Sequence, residues 1–192
     1  CMNRFEGVGL SCGNFKSEDV GKRIFGGENT VRTQMKVEAA LARVQARLGV
    51  IPRAPADEIN RKCDVSLIDE AEYRRQYAIT NHPLVCLIRV YASICDGDAG
   101  EYIHYGTTTQ DIIDTAAMLQ LKEAYGLIQE KALKLRNRIA ALARANQDLV
   151  MMGRTNDQQA MPITLGFKMA TWVDELDRSI DRLAQSKDRI FV

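Results

Sequence analysis

Tyr102 to Thr115 reads YIHYGTTTQDIIDT, and its side chains are the ones in this chain best suited to holding an anion. His104 and Gly106 lead into Thr107, Thr108 and Thr109. Gln110 and Asp111 follow, and a long apolar-periodic helix then begins. The first N–H groups of a helix have no intrahelical acceptor, and the macrodipole places partial positive charge there. Hydroxyls beside such an end complete a site for a small carboxylate or a phosphate. The local alternative is that Thr108 or Thr109 simply caps the helix.

A second polar cluster follows later in the chain. Arg154, Thr155, Asn156, Asp157, Gln158 and Gln159 crowd into what reads as a loop from about residue 147 to 162, between two apolar-periodic segments. Such a loop is either a solvated connection or a place where a scaffold carries binding groups. Only two histidines are present, His82 and His104, and His82 stands directly before Pro83. There it is either a satisfied histidine beside a helix start or a titratable group of a site.

The elements that must position these residues read as helices. Val37, Leu41, Val44 and Leu48 recur at steps of 4, 3 and 4, and Gly49 and Pro52 provide a stop. A short polar helix is expected around 56–63. Ser66 with Asp69 resembles a capping box opening another helix to about Tyr77, and Pro83 opens an apolar one to about Cys95. Leu121, Tyr125, Ile128, Ala132, Leu135, Ile139 and Leu142 form a heptad seam. A helix from Asp111 to Ala145 would be about 50 Å long. Leu165, Met169, Trp172, Leu176, Ile180 and Leu183 form a second stripe. Strand signals are nearly absent, so the expected fold is all-α. Residues 1–27, with six glycines, read as irregular, 28–110 as a helical domain, and 111–192 as the start of a long-helix bundle. Two such helices do not close a bundle, so other subunits or further chain would complete it.

Composition excludes several classes. Lys and Arg number 26 against 25 Asp and Glu, for a net charge of +1, and no basic block offers a nucleic acid face. No apolar run approaches the ~20 residues that span a bilayer, and no secretory signal is visible. Five cysteines at irregular spacing, without a CxxC pair, argue against a structural zinc site and point to a reducing compartment, the cytoplasm.

Three segments carry a resemblance to the fumarase/aspartase superfamily, in the branch of adenylosuccinate lyase and 3-carboxy-cis,cis-muconate cycloisomerase. ENTVRTQMKVEAALARVQARLGVIP resembles the family's first long helix, with its VExALA core. YIHYGTTTQDIIDTAAMLQL resembles the HxGxTSxDxxDT region, and GRTNDQQAMPITLGFKMATW the GRTHxQxAxPxTxGxKxAxW region. The resemblance implies a homotetramer whose central bundle holds active sites built from three subunits, and a β-elimination that releases fumarate without metal or organic cofactor. It makes His104 a substrate or phosphate ligand and Thr108 and Thr109 carboxylate holders, Thr109 standing for the family's serine. It adds His82, Gln110, Arg154, Thr155 and Gln158 as substrate contacts.

Two departures stand out. Asn156 occupies the position of the family's acid/base histidine, and asparagine transfers no proton near neutral pH. The serine-bearing loop with an SSxMPxKxNP signature, which supplies the family's general base further along, has no match here. The resemblance thus allows three activities: a C–N lyase acting on a succinyl-type substrate, a carboxymuconate cycloisomerase, or a non-catalytic oligomerising relative.

Overall fold

The computed structural model describes residues 18–191. It forms two compact units, one ending at Glu123 and the other beginning at Ala124. The described residues are mostly helical, with one two-stranded ribbon. None of their helices is long and apolar enough to cross a membrane.

In the first unit, the segment expected to be irregular is helical from Glu18. Helix α1 spans Glu18–Phe25 and α2 spans Gly27–Arg47; residues 1–17 lie outside the described residues. The glycines at this junction serve a close turn. Gly26 is the N-cap of α2, its amide donates to the Lys22 carbonyl at 2.8 Å, and a Cβ there would stand 2.2 Å from that oxygen. Ile24 is buried beside it, and its carbonyl accepts from Gln120 Nε2 at 2.5 Å.

Helix α2 buries a stripe that only partly overlaps the one its larger apolar residues suggest, with Val37 and Leu41 partly buried against the core. Val31, Gln34, Met35, Glu38, Ala39 and Ala42 face inward, whereas Val44 and Leu48 are exposed. A Schellman motif ends the helix: Val50 N–H donates to Gln45 O at 2.8 Å and Gly49 N–H to Ala46 O, with Gly49 at φ 73°. Helix α3 (Arg53–Arg61) follows, then a 3-10 turn at Val65–Leu67 and α4 (Glu70–Thr80). Asp69 caps α4 by accepting from Ala71 N at 2.8 Å. Ser66 lies in the 3-10 turn and is no part of that cap. Helix α5 (Pro83–Ile94) is the apolar centre, with Leu84, Leu87, Val90 and Tyr91 buried. The Tyr91 hydroxyl resolves its own burial by donating to Ile59 O at 2.6 Å. A short 3-10 turn (Ala99–Tyr102) then leads to α6 (Thr109–Ala145).

The second unit is an antiparallel helical hairpin of the later part of α6 and α7 (Leu165–Ile190). Tyr125 Oη donates to Leu183 O at 2.9 Å, Arg136 pairs with Asp177 at 2.9 Å, and Gly166 N–H donates to Asn146 O at 2.9 Å. The heptad seam is only partly buried here: Tyr125 is buried, but Ile128, Leu135 and Leu142 are each at least half exposed. The expected loop between the helices is instead a β-hairpin, β1 (Val150–Thr155) paired antiparallel with β2 (Gln158–Thr164). Thr155 pairs with Gln158, which leaves Asn156 and Asp157 as a two-residue turn at φ 46° and 59°. A two-residue hairpin loop with both φ positive is the type I′ geometry, which favours Asn and Asp. The pairing shifts register between Met152 and Arg154, at Gly153.

Candidate active site

The first group of site residues is built on the loop entering α6. His104 lies in the left-handed region at φ 63°, and Gly106 at φ 70°. Helix α2 pins this loop from its inner face. Glu38 Oε2 accepts the His104 backbone N–H at 3.0 Å, Glu38 Oε1 stands 2.7 Å from His104 Nδ1, and Gln45 Nε2 donates to Tyr105 O at 2.7 Å. The Glu38 side chain is 1% exposed. Burial pushes its carboxyl above the ordinary range, while the hydrogen bonds and charge of His104 act in the opposite direction.

Glu38 is the residue that sequence reasoning missed. Its signal was an acidic side chain on the 31–35–38–42 stripe of a largely apolar helix face, where an unpaired charge is too costly to keep.

The start of α6 has the open donors that an anion site needs, with one qualification. Asp111 Oδ2 accepts from Thr107 Oγ1 at 3.0 Å and from Thr108 N at 3.1 Å. That is half of a capping box, with the carboxylate reaching back to the first orphan amide. The Thr109 and Gln110 N–H groups and the Thr108 and Thr109 hydroxyls make no hydrogen bond within the chain. Thr108 does not cap through its own hydroxyl. The Gln110 amide donates to Asp114 Oδ1 at 2.6 Å, one turn along the helix.

His82 stands apart from this cluster in its bonding. It is the N-cap of α5, its Nδ1 accepting from Val85 N at 3.4 Å, with no hydrogen bond to His104 or the threonines. Capping alone is a sufficient reason for a half-buried residue of this type before Pro83.

The second group sits on the ribbon. Arg154, Thr155, Asn156 and Gln158 are all exposed and make no side-chain hydrogen bonds within the chain. Below them a groove of about 470 Å³ is lined by Met152, Arg154, Met161, Phe167 and Lys168, with Lys168 Nζ 5.9 Å from the Trp172 ring centre. Two cations beside apolar walls suit an anionic ligand with a carbon skeleton. Among the described residues, no group of three or more His, Cys, Asp or Glu could hold a metal ion.

Residues 17–192 match the family described as Lyase. The chain belongs to this family, within the fumarase/aspartase superfamily. Over 171 residues it is 40% identical to an adenylosuccinate lyase of Methanocaldococcus jannaschii, covering 89% of this chain and 37% of the relative. It is 39% identical to an N-acetyl-S-(2-succino)cysteine lyase of Enterococcus italicus, covering 93% and 39%. The crystal structure of β-carboxy-cis,cis-muconate cycloisomerase from Acinetobacter calcoaceticus superposes with a TM-score of 0.85 at 34% identity, covering 91% and 41%. The chain thus spans about two-fifths of the length of these relatives.

Proposed function

We propose that this lyase-family chain carries the carboxylate-gripping part of an enzyme that cleaves a C–N bond of a succinyl-type substrate and releases fumarate. The observation that carries the reading is the pair of unengaged threonine hydroxyls and free amides at the start of α6, beside a histidine fixed by a buried acid. Removing a proton next to a carboxylate builds negative charge on that carboxylate. Fixed donors aimed at it lower the barrier, because they need no reorganisation as the charge develops. Thr108, Thr109 and the Thr109 and Gln110 amides fill that role, and His104 offers Nε2 to a carboxylate or phosphate.

Arg154, Thr155 and Gln158, on the exposed ribbon, contact substrate from another copy of the chain. The half-exposed seam of Ile128, Leu135 and Leu142 supports such an assembly, since a row of this kind is stable in water when a neighbouring helix covers it. A homotetramer is the expected form. Asn156 can orient a leaving group by hydrogen bonding but cannot protonate it. A succinyl group recurs in the names of two relatives, which favours this substrate class.

Cycloisomerisation of a carboxymuconate is the second reading, favoured by the 0.85 superposition on such an enzyme. Incubation with adenylosuccinate, N-acetyl-S-(2-succino)cysteine and carboxymuconate separates them. Fumarate from either of the first two supports the proposal. Lactone from the third with no fumarate replaces it, and turnover of none supports a non-catalytic, oligomerising role.

A further inference from the structure

We propose that Glu38 is the positioning residue for His104: its buried carboxylate keeps a proton on Nδ1 and turns Nε2 outward as the ring atom a ligand meets. The ligand-facing half of this statement rests on the role given to His104 above. The positioning half rests on the geometry alone.

One carboxylate makes two contacts with one residue. Oε2 takes the His104 backbone N–H at 3.0 Å, and Oε1 meets Nδ1 at 2.7 Å. The first contact holds a backbone conformation, φ 63°, that residues other than glycine seldom adopt; the second fixes the ring about its side-chain torsions. The Gln45 bond to Tyr105 O, two turns along the same helix, holds the loop at its next residue. His104 is therefore presented by a rigid helix rather than by a loop free to choose its own geometry, as a preorganised site requires.

The place of the proton follows from the donors. The backbone N–H at Oε2 favours the ionised carboxyl. With both carboxylate oxygens serving as acceptors, the proton between the two groups sits on Nδ1, and Nε2 is left facing outward. Nε2 has no hydrogen bond within the chain and is not among the buried unpaired atoms, so it reaches solvent from a side chain that is 17% exposed. Carboxylates that hydrogen-bond one ring nitrogen and so fix a histidine tautomer are a recurrent device, because the tautomer follows from the bond the other nitrogen makes.

The chain's two histidines make a direct test practicable. In protein labelled with 15N-histidine, His82→Asn leaves His104 as the only imidazole. The expected spectrum of the folded protein has a protonated Nδ1. Glu38→Gln keeps an oxygen for the backbone N–H but offers an N–H to Nδ1. The neutral ring should then exchange its proton, with Nδ1 bare and Nε2 protonated.

A bare Nδ1 in the protein with Glu38 intact overturns the proposal, even if Glu38→Gln fails to fold. A folded Glu38→Gln protein that keeps the original tautomer overturns it as well, because the acid would then only tie down the loop. Fumarate and inorganic phosphate are titrated last. A shift of Nε2 with Nδ1 fixed supports the ligand-facing role. No shift with either removes His104 from the grip, which is a failure of the functional reading and not of the positioning.

Discussion

Replacing Asn156 separates what the hairpin turn needs from what the reaction needs. Asn156 and Asp157 occupy both central positions of the turn at φ 46° and 59°, with Thr155 and Gln158 closing it. Left-handed backbone costs an ordinary L-residue about 1–2 kcal/mol, and Asn, Asp and His are enriched there relative to other non-glycine residues. Asn156→Ala should therefore destabilise the protein by about 1 kcal/mol, a fall of about 2–4 °C in Tm for a chain of this size. Asn156→Gly should be neutral within a few tenths of a kcal/mol, because glycine enters that region freely. Asn156→His should lie between them.

The same histidine would supply a proton donor where the family has one, and such a group contributes about 10²- to 10⁴-fold in rate. Asn156→His should thus release fumarate from adenylosuccinate at least about 10²-fold faster than the parent, provided the rest of the site is complete. Thermal denaturation and a fumarate assay on the three variants read the two effects separately. If Ala proves as stable as Gly, left-handed geometry does not govern this turn. If the parent releases fumarate and His folds but leaves that rate unchanged, position 156 is not where the leaving group takes its proton.

Other outcomes follow from individual residues. A Cβ at Gly166 would lie 2.5 Å from Gln147 Cα and 2.6 Å from Ala143 O, both backbone atoms. Gly166→Ala should cost about 1–3 kcal/mol, read as a lower urea midpoint; an unchanged midpoint would show that the α6–α7 junction is loose. Burial pushes the Cys95 thiol up to about 11 and raises those of Cys63 and Cys86, so peptide mapping at pH 8 should show all three alkylated more slowly than free cysteine. The Arg75 guanidinium holds the exposed Glu72 carboxyl down at about 2 from 4.5. Its stabilising contribution is present above pH 4.5 and is lost as pH falls through about 2, and Glu72→Gln should remove that part of the acid transition. A Glu72 titration midpoint near 4.5 by NMR would contradict this.

The helices were legible because burial writes its period into sequence. The Pro83 start and the heptad rhythm after Gln110 placed α5 and α6 within two residues. Helix α2 was legible in extent and only partly in orientation: Val37 and Leu41 do pack against the core, but Val44 and Leu48 are exposed and small residues such as Ala39 and Ala42 complete the buried face. The hairpin was missed for a physical reason. An exposed ribbon buries neither face, so β1 and β2 show no strict apolar alternation, and Gly153 and Pro162 lower the propensity of both strands. The usable signal was Asn156-Asp157, a turn pair that was read for its chemistry instead. Around His104 the motif gave the residue but not its support, because Glu38 is separated from it by 66 positions.

The claim that most needs testing is that the start of α6 receives a small diacid. Calorimetric titration of fumarate into the protein, beside Thr108→Val and Thr109→Val, tests it directly. One lost hydrogen bond to a charged group is worth about 1.5–3 kcal/mol, so each variant should bind about tenfold to a hundredfold more weakly while keeping its helix content. Equal affinity in all three proteins, or no saturable binding by the parent, would contradict it.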